Sequence, residues 1–129
     1  MRFTQSLKKN YQFGFVYNKG KSVADKYLVL YAVRNKRNPD INRLGITVSK
    51  KVGKSVVRSR VTRLIKESYR LSERYVATGF DIVVLARVGS SAASYGEINK
   101  SLLNLLKRQN LIKQPKPAVL KEGADSCKE

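Results

Sequence analysis

The spacing of apolar and polar positions changes period several times along this chain, and each change marks an element. Tyr27-Leu-Val-Leu-Tyr-Ala-Val33 is dense in β-formers, with Tyr27, Val29, Tyr31 and Val33 toward one side and Leu28, Leu30 and Ala32 toward the other. That alternation predicts a strand buried on at least one face, preceded by a short edge strand at Lys21–Ala24. In Arg43–Ser49, Leu44, Ile46 and Val48 alternate with Gly45 and Thr47, which predicts a second hairpin arm across the charged loop Arg34–Asn42 and its Asn-Pro-Asp turn signal. Asp81-Ile-Val-Val-Leu-Ala-Arg-Val88 is nearly continuous in apolar residues, as in a strand covered on both faces.

Between these strands the period shifts to 3.6. Asn10–Asn18 predicts a short helix with Phe13 and Tyr17 spaced i, i+4 beside Val16, stopped by Gly20. From Ser55 to Tyr75, Val57, Val61, Leu64, Ser68, Leu71 and Tyr75 fall on one arc, and Arg60, Arg63, Lys66, Arg70 and Arg74 on another. Thr78-Gly79 reads as its C-terminal stop. Ser94-Tyr-Gly-Glu97 is a capping box opening a last helix with Ile98, Leu102, Leu105 and Leu106 on its apolar face. Strand, helix, strand over Arg43–Val88 suggests a βαβ unit. Residues 1–112 form a single α/β domain on this reading, and 113–129, with no period and near-balanced charge, a disordered tail.

Composition narrows what such a domain does. Lys and Arg number 27 against 9 Asp and Glu among 129 residues, a formal net charge of +18. So large an excess repels itself in the compact state and calls for a polyanionic partner, nucleic acid before an anionic membrane surface. The chain has no His and a single Cys, Cys127, so zinc sites of His and Cys and an internal disulfide are both out of reach. No apolar run approaches the roughly 18–20 residues of a membrane helix. The basic, aromatic N-terminus lacks the apolar stretch of a signal peptide, so the expected location is cytoplasmic. Without His, and with Asp25, Asp40, Glu67, Glu73, Asp81 and Glu97 scattered, neither metal-free acid–base chemistry nor a carboxylate-held metal pair is indicated on the protein itself.

The charge is concentrated. Lys50, Lys51, Lys54, Arg58, Arg60, Arg63 and Lys66 stand within seventeen positions that hold no acid. Solvated helix faces usually mix signs so that i, i+4 pairs form, and this run leads into a helix N-terminus, where free backbone N–H groups add to the attraction for phosphate. Gly53-Lys54-Ser55 resembles the end of a nucleotide-binding P-loop, but Val48 stands where that pattern needs Gly, so the nucleotide reading is rejected.

Val-Ser-Lys-Lys-Val-Gly-Lys-Ser-Val-Val-Arg-Ser-Arg-Val-Thr-Arg-Leu-Ile-Lys-Glu-Ser-Tyr-Arg (48–70) strongly resembles the signature of the bacterial ribonuclease P protein subunit, approximately VSKKxGNAVxRNRxKRLxRExFR. Gln12–Gly20 is similar to the family's aromatic N-terminal helix, Tyr27–Tyr31 to its FVLY strand and Asp81–Arg87 to its DxVxxAR strand. The match spans roughly residues 3–112. Lys54, Ser55, Ser59 and Thr62 depart from the family pattern, with Lys54 adding charge and Ser59 keeping a hydroxyl. The resemblance implies an α/β sandwich of order αβββαβα, with a mixed four-stranded sheet and a left-handed βαβ crossover. It also implies a protein that binds the catalytic ribonuclease P RNA and the 5′ leader of precursor tRNA while the RNA cuts, with magnesium bound mainly by the RNA and none by the protein alone. Carried over by position, Lys54, Arg58, Arg60, Arg63 and Lys66 would face the catalytic RNA; Phe13, Tyr17, Tyr31, Lys51 and Arg87 would line the leader cleft. The alternative is a non-catalytic ribosome- or translation-associated RNA-binding protein; a DNA reader using Ser55–Tyr75 fits less well, because the exposed face lacks Asn and Gln for base readout. No protein partner is evident.

Overall fold

The computed structural model describes residues 4–7, 9–37 and 39–112, so the expected C-terminal tail and Cys127 lie outside the described residues. Strand β1 (Thr4–Ser6) is followed by helix α1 (Asn10–Lys19), strands β2 (Lys21–Ala24), β3 (Leu28–Arg34) and β4 (Asn42–Val48), helix α2 (Ser55–Ser72), strand β5 (Phe80–Ala86) and helix α3 (Tyr95–Arg108). These strands form one five-stranded mixed sheet in the order β1-β4-β5-β3-β2. The expected four-stranded sheet therefore gains β1, which runs parallel to β4 along its outer edge. Its Thr-Gln-Ser sequence carries no apolar alternation; backbone pairing holds it, and Thr4 Oγ1 lies 2.9 Å from the hydroxyl of buried Tyr69.

A second expectation is corrected by the sheet order. β3 and β4 are not arms of a hairpin, because β5 lies between them, antiparallel to β3 and parallel to β4. The reason is burial: Ile82, Val83 and Val84 are fully buried, and an apolar run of this kind is stable only where both faces and both edges are covered. The loop after β3 therefore steps past β5 rather than turning back. β4, α2 and β5 do form the βαβ unit, with Leu44 opposite Ile82 and Val48 opposite Ala86.

Two helices cover one face of the sheet and one covers the other. α2 and α3 pack on Leu28, Leu30, Ala32, Leu44, Ile82, Val84 and Ala86. On the opposite face α1 buries Val16 against Leu7 and Val83, with Phe13, Tyr31 and Val33 around them. α1 has only ten residues, too few to cover that face, so strips of sheet stay open on either side of it.

The buried side of α2 differs from the arc expected. Val61, Ile65, Ser68, Tyr69 and Ser72 are buried, whereas Leu71 is 53% exposed. Positions 57, 61, 64, 68, 71 and 75 follow a strict heptad spacing, and on a straight helix that stripe drifts by about 20° per heptad away from a fixed face. Gly79 also lies elsewhere than expected: α2 ends at Ser72 and passes into a 3₁₀ turn at Glu73–Tyr75. Gly79 sits in the approach to β5 at φ +91°, where a Cβ would come 3.1 Å from the Pro39 carbonyl oxygen. The Ser94 capping box forms as read, Ser94 Oγ accepting from Glu97 N and Glu97 accepting from Ser94 N.

Asp25 joins the β2–β3 turn to α3. It accepts hydrogen bonds from the backbone N–H groups of Tyr27 and Leu28 and from the Ser101 hydroxyl. Burial pushes its pKa up, but those bonds and the nearby Arg108 outweigh burial and hold it below the ordinary 3.8. A carboxylate whose folded-state pKa is depressed contributes stability that is complete above its unfolded pKa and is lost as pH falls through the folded one. Urea midpoints are thus expected to fall as pH drops below about 4, and Asp25→Asn to flatten that dependence; an unchanged profile in the variant would remove Asp25 from the account.

Candidate nucleic-acid interface

The basic run divides between two sides of α2. Arg58, Arg63 and Lys66, with Ser55, Ser59 and Thr62, line an open cleft of about 580 Å³ whose other wall is Ile46 and Val48 of β4. Among the described residues no carboxylate lines it. Arg58 Nε donates to the Gly53 carbonyl at 3.2 Å, which folds the guanidinium back over the start of the helix, and Thr62 Oγ1 donates to the Arg58 carbonyl. Lys54 is the exposed N-cap residue; its side chain makes no capping bond, and the first turn of α2 contains no acid. Lys54, the unpaired N–H groups of that turn and the three cations of the cleft form one continuous positive surface shaped for phosphate.

Arg60 is placed apart from them. Its guanidinium reaches the other flank of α2, where Nη2 donates to the Ala93 carbonyl at 2.7 Å and Nη1 to that of Ser91 at 3.4 Å. Those carbonyls close the 3₁₀ turn Val88–Ala92 that follows Arg87, so Arg60 fastens this turn to α2. Arg70 is engaged as well, in a bidentate ion pair with Glu67, and Arg74 lies over the Tyr75 ring. Arg60→Ala is expected to lower stability by about 1.5–3 kcal/mol, the worth of bonds from a charged donor. Arg63→Ala, on an exposed side chain, is expected to leave the urea midpoint within error. Equal effects of the two would contradict this division.

Of the residues that the resemblance assigns to the leader cleft, Phe13, Tyr17 and Tyr31 lie on the opposite face of the sheet. The rings of Tyr17 and Tyr31 meet edge to face, with centroids 4.9 Å apart and planes at 85°. The Tyr17 hydroxyl lies 3.3 Å from Thr47 Oγ1 on β4. Phe13 rests directly on Gly45, where a Cβ would come within 2.5 Å of its ring. Glycine at this position makes room for the tip of the ring against β4. Tyr17 is exposed and Phe13 half-buried, so Phe13 both packs on Val83 and presents an edge to solvent. Beyond these rings Val29 and Leu85 are only partly covered. Val48 and Ala86 are register partners, so Lys51 and Arg87 leave the sheet at the same end. Both are exposed, and Arg87 Nη1 donates to the Asp25 carbonyl at 2.8 Å.

The sequence reading missed the β4 side chains of both surfaces, Ile46 and Val48 in the cleft and Thr47 beside Tyr17. Their alternation placed them on opposite faces, but which helix met each face was not visible. Among the described residues no group of three His, Cys, Asp or Glu side chains comes together, and no helix is long and apolar enough to cross a membrane.

Comparison with known proteins places the chain in a family and a fold. A family model described as Ribonuclease P matches residues 1–110. The ribonuclease P protein component of Lachnoclostridium phytofermentans is 52% identical over 114 residues, covering 88% of this chain and 97% of its own. That of Clostridioides difficile is 51% identical over 109 residues, 84% of this chain and 94% of its own. The solved structure of the Staphylococcus aureus RNase P protein superposes with a TM-score of 0.78 at 35% identity, covering 84% of this chain and 97% of that one. The Thermotoga maritima protein gives 0.73 at 33% identity, over 81% and 96%. A matching family model over almost the whole described chain, relatives at half identity aligned over nearly their whole length and the same fold in solved structures leave one assignment: this chain belongs to the ribonuclease P protein family, the protein component of the tRNA-processing endoribonuclease.

Proposed function

We propose that the chain is the non-catalytic subunit of the holoenzyme, binding the catalytic RNA through Lys54 and the α2–β4 cleft and the single-stranded 5′ leader of precursor tRNA through the aromatic strip beside α1. The observation that carries this reading is the separation of two chemistries on the two faces of one sheet. The cleft is cationic and lacks rings, which suits the phosphates of folded RNA. The strip has Phe13, Tyr17 and Tyr31 leading to Lys51 and Arg87. Rings near cations hold unpaired bases and their backbone.

The protein's part is to bind, to orient and to lower electrostatic repulsion. Its charge of +18 offsets the charge of two polyanions that must meet, which aids binding of substrate and of magnesium to the RNA. Magnesium is assigned to the RNA by the family resemblance, and four of the nine acidic side chains are engaged within the fold. Asp81 is held by Arg43 and Asn35, Asp25 by Ser101, Glu67 by Arg70, and Glu97 by Tyr27 and Ser94. Backbone N–H donation from Ser94 and the Tyr27 hydroxyl hold the Glu97 carboxyl below its usual range.

The test is reconstitution with a bacterial ribonuclease P RNA. The protein is expected to stimulate release of the 5′ leader at low magnesium, where the RNA alone is slow. Absence of stimulation, with the protein folded and binding structured RNA, would favour a translation-associated role instead.

A further inference from the structure

We infer that the second open strip of the sheet, on the far side of α1 from Phe13 and Tyr17, is a separate binding site for an unpaired ribonucleotide segment. At about 100° per residue, Tyr11 and Phe15 form a stripe roughly 200° from that of Phe13 and Tyr17, with Val16 between them against the sheet. Tyr11 is 70% exposed and Phe15 51%. Both line a groove of about 510 Å³ that is also lined by Arg34 at the end of β3 and by Lys36 and Arg37 of the loop that follows it.

Three features favour RNA as the occupant. First, the groove is cationic: among the described residues that line it the one carboxylate is Asp81, which is buried and neutralised by Arg43 through bonds of 2.9 and 2.7 Å. Second, the loop is held in place before anything binds. Asp81 also accepts from Asn35 Nδ2 at 3.0 Å, Asn35 Oδ1 accepts from the Arg37 backbone N–H, and the Asn35 backbone N–H donates to the Gly79 carbonyl. A part-buried ion pair at the end of the sheet, through Asn35, thus fixes the loop that bears the cations. Third, two exposed rings share the groove with those cations, a combination that accepts a base on a ring and its phosphates on the cations. An acidic protein segment would satisfy the cations but not so directly the flat ring faces. The site stands on its own geometry and does not depend on the leader-cleft assignment.

The test uses the full chain and a fluorescein-labelled single-stranded oligouridylate as probe, with Phe15→Leu and Arg37→Gln made singly and also in a Tyr17→Leu background. Phe15→Leu is expected to weaken the probe about ten-fold in both backgrounds, the effect of removing one stacking ring. Arg37→Gln is expected to lower the slope of log affinity against log salt by roughly 0.7, a readout that a packing role would not move. Thermal melts of each variant check that the fold is kept. Tyr17→Leu reports separately on the leader cleft, so failure of one assignment leaves the other standing. In the reconstituted holoenzyme, 4-thiouridine placed in the leader or in the catalytic RNA identifies which strand crosslinks to this strip in a Phe15-dependent manner. Unchanged probe affinity with no Phe15-dependent crosslink from either strand overturns the site, and a protein occupant would give that same result.

Discussion

Replacing Arg58, Arg63 and Lys66 together with Gln is expected to weaken association with the catalytic RNA by roughly two to three orders of magnitude at moderate salt, the largest effect anticipated for this protein. The three cations line one cleft with no carboxylate among the described residues there, so Arg63, Lys66 and the terminal nitrogens of Arg58 are available to a phosphate. Each lost phosphate contact releases fewer counterions and reduces the salt slope by roughly 0.7–0.9, so the triple variant should lose about 2–3. Gln preserves polarity and much of the side-chain length, and Arg63 and Lys66 are exposed, so stability should change little. Arg70→Gln serves as the control, because Glu67 already occupies that guanidinium through bonds of 2.7 and 2.9 Å. A salt slope left unchanged by the triple variant would remove the cleft from the RNA contact.

Tyr17→Leu combined with Tyr31→Leu is expected to weaken leader-bearing precursor tRNA by about 10–100-fold while leaving mature tRNA nearly unaffected, since stacking on a ring is worth about 1–3 kcal/mol per base. The two rings already contact each other edge to face, so their loss also removes about 0.5–1.5 kcal/mol of stability, which a urea titration will register. Tyr17→Phe separates the ring from its hydroxyl: it abolishes the contact with Thr47 and should retain most leader affinity. Phe13→Ala is a less clean probe. Its ring packs with Leu7, Val16 and Val83, so truncation opens a cavity in the small core under α1 as well as removing a stacking surface. Equal losses for precursor and mature tRNA in the double tyrosine variant would contradict the cleft.

What could be read from the residues follows from what is local. The strand Leu28–Arg34, the helix opened by Ser94, and the acid-free run from Lys50 to Lys66 depend on spacing and charge within one segment, and all are found where the spacing puts them. β1 escaped notice because three polar residues carry no period, and its pairing with β4 is made by backbone that every sequence shares. The position of β5 between β3 and β4 escaped for a related reason: neighbouring segments usually pair, and only competition for the fully covered central place moves β4 one strand outward.

The candidate sites divide along the same line. Composition and a long ungapped motif mark the chain as a cationic RNA binder with rings on its first helix, because both survive any arrangement in space. Tertiary structure decided which of those residues act together. It sent Arg60 to the carbonyls of Ser91 and Ala93 while Arg58, Arg63 and Lys66 converged on β4. It also set Phe13 and Tyr17 over one strip of sheet, and Tyr11 and Phe15 over another. The physical reason is that a helix's period gives angles about its own axis, whereas the partner each angle meets is set by long-range packing against a sheet whose strand order no local pattern encodes.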